Sequence, residues 1–278
     1  MDDKYRVLPV KTGYIRPNEG LDEIIDRAGL MVEDGDYLVV SETPVAISQG
    51  RIVDESEYEP SLLAFFLADI WSKYIWGYIL GPLLGMKKRT IKNLRRLPRE
   101  ARAHKEVVLR YYGMKHALKP GSEAGIDLSH LPGALAALLP EDPQGVSEYI
   151  ARRIWEVYDR DVTVLIIDTD ATYKLMGYYF TSLPCAIDGI KSDTGFLGYL
   201  LGRFSDTILP TPLAVSKRID IDKIFEIAKV AEDYHKNSAE HIETVYDMEK
   251  IFKEEKDKIT IRSLESIEHV PALIVREI

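Results

Sequence analysis

Two short acidic segments carry the residue types and spacing in this chain that could do chemistry. One is Asp168-Thr169-Asp170, which follows the run V-T-V-L-I-I at 162–167. Six mostly apolar, mostly β-branched residues fit a strand buried on both faces. A carboxylate just past such a strand loses solvation unless something pairs with it. Two carboxylates flanking a hydroxyl supply the hard oxygen donors that Mg²⁺ or Mn²⁺ prefers. The same residues would also make an Asx-type turn that needs no ion. The second segment is Ala124-Gly125-Ile126-Asp127. If the two loops converge, their carboxylates could hold one or two divalent ions, which could in turn bind phosphate oxygens. Spacing alone does not show that they converge.

A third segment of interest is Ser48-Gln49-Gly50-Arg51. Gly50 permits a bend or a close ligand approach, and Arg51 could present a guanidinium to an anion. On residues alone an ordinary hairpin with a surface Arg is the simpler reading. The histidines give no metal pair, because His235 and His241 are six apart and do not share a helix face. His130 follows the Asp127 loop and could reach it, although a polar loop residue is the plainer reading. Cys185 reads as a small core residue. The chain has no G-x-x-x-x-G-K-[ST] and no G-x-G-x-x-G, so any nucleotide site is of another kind.

The elements that must position these loops are mixed. Residues 6–10 and 37–41 read as strands, and 21–29 as a short amphipathic helix. An apolar stretch opens at Pro60-Ser61 and contains Asp69 and Lys73, four apart, as an i,i+4 pair on a helix would be. Gly77, Gly81, Pro82 and Gly85 are expected to break its second half. Its Trp71, Tyr74, Trp76 and Tyr78 suit a subunit contact, and it is not expected to span a membrane. A basic, helical block follows, interrupted at Leu97-Pro98. Residues 120–133 read as loop, 146–158 as a helix, and 173–201 has weak periodicity. Residues 208–215, with Pro210 and Pro212, read as an edge strand at best. Two helices, 219–236 and a second to about Lys258, precede closing strands at 259–262 and 272–276.

The chain has 278 residues, 46% hydrophobic and 29% charged, which suits a globular protein of one large domain or two ordinary ones. A single cysteine excludes an internal disulfide and fits a reducing cytoplasm. The charged start has no apolar signal-peptide core. Two Gln and three Asn against abundant Glu, Lys and Arg point to a thermophilic source. The net charge is −9, yet 87–119 holds twelve Lys or Arg against two Glu, a balance of +10 that leaves −19 elsewhere. Such a block suits an anionic partner or a solvated helix face. We expect a mixed α/β or α+β fold over the whole chain, with intertwined parts and no clean linker.

The order of segments resembles the coenzyme F420:L-glutamate ligase family, enzymes that add γ-linked glutamate to a deazaflavin coenzyme. The matching pieces are D-G-D-Y-L-V-V-S, S-Q-G-R-I, A-G-I-D, L-P-E-D-P-Q-G-V-S-E-Y-I-A-R-R-I, V-L-I-I-D-T-D and, more weakly, V-P-A-L-I-V-R. The resemblance implies an intertwined two-lobed fold and a homodimer. It also implies a GTP-dependent amide ligase that works through an acyl phosphate on a small-molecule acid and an amino acid. Mg²⁺ or Mn²⁺ would be held by Asp127 and Asp168, with Thr169 and Asp170 beside them, and residues 48–51 would lie near the nucleotide phosphates. The chain departs from the pattern in three places. Ala46-Ile47-Ser48-Gln49-Gly50-Arg51 stands where the family reads S-K-A-E-G-R. Asp170-Ala171 stands where it carries Gly-Arg. Glu123 stands where it carries Asn. Fewer basic residues would weaken phosphate binding, while Glu123 and Asp170 would strengthen metal binding. Two other readings remain at this point: a non-catalytic metal- or nucleotide-binding paralogue, and an anionic-ligand binder acting through 87–119, for which nucleic acid is the less favoured partner.

Overall fold

A computed structural model describes residues 4–121, 123–208, 210–238 and 245–278. In chain order the strands are β1 (Tyr5–Thr12), β2 (Tyr37–Ser41), β3 (Ile52–Asp54), β4 (Leu135–Ala137), β5 (Thr163–Asp168), β6 (Thr172–Leu175), β7 (Tyr178–Thr181), β8 (Ile190–Lys191), β9 (Asp206–Ile208), β10 (Thr211–Val215) and β11 (His269–Glu277). The helices are α1 (Asp22–Gly29), α2 (Glu42–Ser48), α3 (Leu62–Phe65), α4 (Gly81–Leu83), α5 (Lys88–Arg95), α6 (Ala101–Tyr112), α7 (Met114–Ala117), α8 (Pro143–Tyr158), α9 (Gly195–Leu201), α10 (Ile221–Asn237), α11 (Val245–Phe252) and α12 (Ile261–Glu265). The result is an α+β mixed fold.

The main sheet has the order β1-β11-β2-β5-β10. β2 and β5 run parallel at its centre, and the other pairings are antiparallel. Side chains alternate across it, as the period of two requires. Leu38, Val40, Val164, Ile166 and Ile274 join one core with Ile24 of α1 and Ile150 and Ile154 of α8. Val39, Leu165, Ile167, Leu273 and Val275 join the other, under Ile224, Ile227 and Ala228 of α10. Burial on both faces explains the unbroken apolar run in β5. A separate sheet, β8-β7-β6-β9, packs beyond it.

Several expectations hold. Pro212 lies in β10, an edge strand of the main sheet, and the basic block is helical on both sides of Leu97-Pro98. Others are corrected. The segment after β2 is a helix, α2, not the arm of a hairpin. Pro44 lies in its first turn, where a missing N–H has no intrahelical acceptor to lose. Gly77 and Gly81 do not break the apolar stretch, because α3 runs on through a π-helix at Phe66–Leu80 into α4. Gly77 instead lets α5 approach closely, since a Cβ there would lie 3.3 Å from Arg95 Cγ. Asp69 and Lys73 take partners on neighbouring helices and loops rather than each other. Asp69 accepts from Arg102 at 2.6 Å, and Lys73 donates to the Leu97 carbonyl at 2.9 Å. Residues 259–262 do not form a strand, because Thr260 and Ser263 form a reciprocal cap that starts α12. The weakly periodic 173–201 folds as β6, β7, β8 and α9. His241 and part of the second predicted helix lie outside the described residues.

Leu165 is fully buried in β5, whereas Leu30 is 77% exposed. Leu165→Ala should lower the unfolding free energy by about 2–5 kcal/mol. Leu30→Ala should change it by less than about 0.5 kcal/mol. Urea titration of both variants checks this, and equal losses would contradict the two-faced core.

Candidate functional site

The parallel register of β2 and β5 sets Ser41 opposite Ile167. The next residues of both strands therefore emerge side by side at one sheet edge: Glu42-Thr43 on one chain segment and Asp168-Thr169-Asp170 on the other. Ligands in α/β sheets commonly lie beyond such carboxyl ends. The 120–133 loop closes over this edge. Gly125 has φ +66°, and a Cβ on it would lie 2.8 Å from Asp168 Oδ2 and 2.6 Å from Leu139 Cδ2. Only glycine fits so close an approach in that conformation without strain. Backbone hydrogen bonds between Asp127 and Ala137, at 2.9 and 2.7 Å, anchor the far side of the loop.

Four carboxylates meet here. Asp127 accepts from the Ser129 N–H at 2.8 Å, the Ser129 hydroxyl at 2.5 Å and the Thr43 hydroxyl at 2.9 Å. That Thr43 hydroxyl also lies 2.7 Å from Glu42 Oε1, with one proton to share between two carboxylates. Asp168 accepts from the Asp170 N–H at 2.6 Å. Asp170 accepts from Lys119 Nζ at 2.9 Å, and Lys119 also donates to Ser182 Oγ at 3.0 Å. Burial, then repulsion from Asp127, pushes the Glu42 carboxyl up to about 8. Burial, with Glu42 and Asp170 nearby, pushes the Asp168 carboxyl well above the usual range, although the Asp170 N–H and Lys119 pull the other way.

The carboxylates line a cavity of about 280 Å³, with Thr169 at its exposed edge. Its other wall carries Tyr14, His130, Glu232, His235 and His269. Tyr14 donates to the His130 carbonyl at 3.0 Å, and the His130 and His269 rings are 5.7 Å apart. Burial lowers the His269 pKa despite its hydrogen-bonding distance of 2.8 Å to the Leu264 carbonyl, favouring the neutral ring.

The fold thus brings Asp127, Asp168, Thr169 and Asp170 together. It does not bring Ser48, Gln49, Gly50 or Arg51 to the same cavity. Ser48 is buried and donates to the Val45 carbonyl at 2.8 Å. The Gln49 amide exchanges two 2.8 Å hydrogen bonds with the Glu141 backbone. Arg51 Nε points at the Leu139 carbonyl, 3.4 Å away. Glu123 does not join the carboxylates either. It pairs with buried Lys105, and His104 lies 3.5 Å from it and 2.6 Å from Glu55. Burial opposes charge on His104, but Glu55 and Glu123 outweigh it and raise the ring to about 10. The extra carboxylate at 123 is therefore neutralised by its own cations. Sequence reasoning missed Glu42, Thr43, Ser129 and Lys119. Glu42 follows an apolar strand just as Asp168 does, and that signal could have found it.

The donor set suits a hard divalent ion, which would offset the repulsion and burial that raise the Glu42 and Asp168 carboxyls. Among the described residues, no three His, Cys, Asp or Glu side chains already close on one coordination point. The four carboxylates are neighbours rather than a finished shell.

These features describe an α+β protein with a carboxylate-lined cavity at the ends of two central parallel strands. A profile of the F420-0:gamma-glutamyl ligase family matches residues 9–245, and the chain belongs to that family. An uncharacterized protein of Methanocaldococcus jannaschii is 39% identical over 287 residues, covering 98% of this chain and 96% of that one. The coenzyme F420:L-glutamate ligase of Methanothermobacter thermautotrophicus is 30% identical over 145 residues, 52% of each chain. That of Archaeoglobus fulgidus is 28% identical over 199 residues, 70% of this chain and 71% of that one. The chain therefore matches about half the length of the first named ligase.

The raised Glu42 pKa has a definite sign. Ionising this group costs more in the folded than in the unfolded protein, so its contribution to stability declines as pH rises from the ordinary value of 4.5 to about 8. Glu42→Gln should flatten the fall in melting temperature of the ion-free protein across that window. A variant with the parent's full pH slope would show that Glu42 is not the titrating group.

Proposed function

We propose that this chain joins a carboxylic acid to an amine as an amide, using a divalent ion, Mg²⁺ or Mn²⁺, and a nucleotide such as GTP. The observation that carries the reading is the meeting of Glu42, Asp127, Asp168 and Asp170 in one cavity. Membership of a ligase family and the names of the Methanothermobacter and Archaeoglobus relatives supply the reaction class.

Asp127, Asp168 and Asp170 are the expected ligands, with Thr169 at the rim and Glu42 as a further donor. A bound divalent ion would neutralise charge on the nucleotide phosphates. The chain's own residues hold the donors in place. The Ser129 N–H and hydroxyl fix Asp127, and Lys119 fixes Asp170. Little covalent help is needed, because phosphoryl transfer depends mainly on positioning and charge stabilisation. The acid's carboxylate would attack the terminal phosphorus and release the nucleoside diphosphate. The amine would then attack the acyl carbon, lose a proton and expel phosphate. The wall formed by Tyr14, His130 and His269 is the natural place for the organic substrates. Residues 48–51 do not line this cavity, so the phosphate site is placed by the carboxylates and not by them.

Calorimetric titration of GTP and then ATP, with and without Mn²⁺, tests the reading. Nucleotide binding should require Mn²⁺ and should disappear in an Asp127→Asn/Asp168→Asn variant that keeps its parent's melting temperature. Binding that ignores the ion or survives the double substitution, or no binding of either nucleotide, would overturn it.

A further inference from the structure

The continuous helix over 62–83 leaves one side uncovered. Leu62, Phe66, Ile70, Tyr74, Ile79 and Leu83 are exposed, Leu62 at 90% and Leu83 at 77%. Their spacing of four or five residues follows the wide π turn, so they form a single stripe. No charged side chain interrupts it. The two charged residues of this helix turn aside, Asp69 to Arg102 and Lys73 to the Leu97 carbonyl. Soluble monomers rarely expose a long contiguous apolar stripe without a use for it.

Beside the stripe packs α5, whose cations lack counter-charges. Among the described residues, Lys88, Lys92 and Arg96 have no carboxylate within salt-bridge distance. Arg95 lies over the Tyr78 ring at 4.5 Å, with its Nε on the Gly77 carbonyl at 2.7 Å. Lys88, Lys92, Arg95 and Arg96 line a shallow recess with Pro82 and Ile91, between the two helices. This concentration of positive charge belongs to a chain of net charge −9.

We propose that this face docks on an anionic lipid bilayer. The apolar stripe would enter the boundary between headgroups and acyl chains, and the α5 cations would pair with headgroup phosphates. Apolar residues with aromatic rings beside a lysine- and arginine-rich helix are the combination that lies in a membrane interface rather than across it. Among the described residues no helix is long and apolar enough to cross a membrane, which fits docking from one side. Tyr74 and Tyr78 suit the headgroup level, where a ring can be buried while its hydroxyl stays wet. The acidic remainder of the chain would be repelled by the same surface, so only this face would turn toward it. A nucleic acid would use the cations but would leave the apolar stripe uncovered.

Vesicle flotation of the full chain tests the proposal. Vesicles of equal parts phosphatidylglycerol and phosphatidylcholine should bind it at least about 10-fold better than phosphatidylcholine alone, and added salt should weaken the binding. A Lys88→Glu/Lys92→Glu/Arg96→Glu variant should lose the preference. A Leu62→Ser/Phe66→Ser variant should bind more weakly at every salt concentration. Melting curves should match the parent for both. If a variant fails to fold, the salt and lipid dependence of the parent protein decides. Absence of vesicle binding, or binding unchanged in both folded variants, would overturn the proposal. So would a parent dimer in sedimentation velocity that Leu62→Ser/Phe66→Ser dissociates, since a second copy would then cover the stripe. Stronger binding to an RNA oligonucleotide that ignores the Leu62→Ser/Phe66→Ser change would also overturn it.

Discussion

The parallel pairing of β2 with β5 is the constraint on which the rest depends. Because the two strands run the same way and in register, both chain segments leave the sheet at one edge. An antiparallel pair would have sent Glu42 and Asp168 to opposite ends. In this register Leu165 and Ile167 face the α10 core while Val164 and Ile166 face the other, and a slip of one residue would exchange the two sets and move Asp168 from its place beside Glu42. The site follows from strand packing before any ligand is considered.

Concentrating carboxylates at a buried edge is unfavourable, and the surroundings show how the unfavourable term is contained. Thr43 and Ser129 donate to Asp127, Lys119 to Asp170, and the Asp170 N–H to Asp168. A second layer holds the donors. Lys105 Nζ bonds the Ala117 carbonyl at 2.8 Å and the Lys119 carbonyl at 2.5 Å, and it pairs with Glu123 at the start of the covering loop. Breaking a buried pair by removing one partner leaves an uncompensated charge and costs about 3–5 kcal/mol. The middle of the basic block is thus internal scaffolding for the acidic loop, while α5 stays free for the surface. The same block serves two physical ends, which its net charge alone did not distinguish.

The central strands, the edge position of β10 and the two Asp loops were legible in the sequence, because periodicity and strand-end carboxylates are local signals. The convergence of the loops was not, since it depends on Gly125 closing on Asp168 across the fold. The α2 helix was hidden because its β-branched residues mimic a strand, and Pro44 suits a first turn as well as a loop. The π winding of the apolar helix was also hidden, because glycines that read as breakers serve as contact points for α5. The family resemblance named Asp127 and Asp168 together, and both line the one cavity. Analogy at residues 48–51 did not carry them into that cavity, where the nearest observed partner of Arg51 Nε is a backbone carbonyl.

The most direct test of the central claim, that the strand-end carboxylates form one divalent-ion site, is anomalous diffraction from crystals soaked in Mn²⁺. The predicted result is a manganese peak among Glu42, Asp127, Asp168 and Asp170. A peak confined to other surface carboxylates, or none at saturating Mn²⁺, would contradict it.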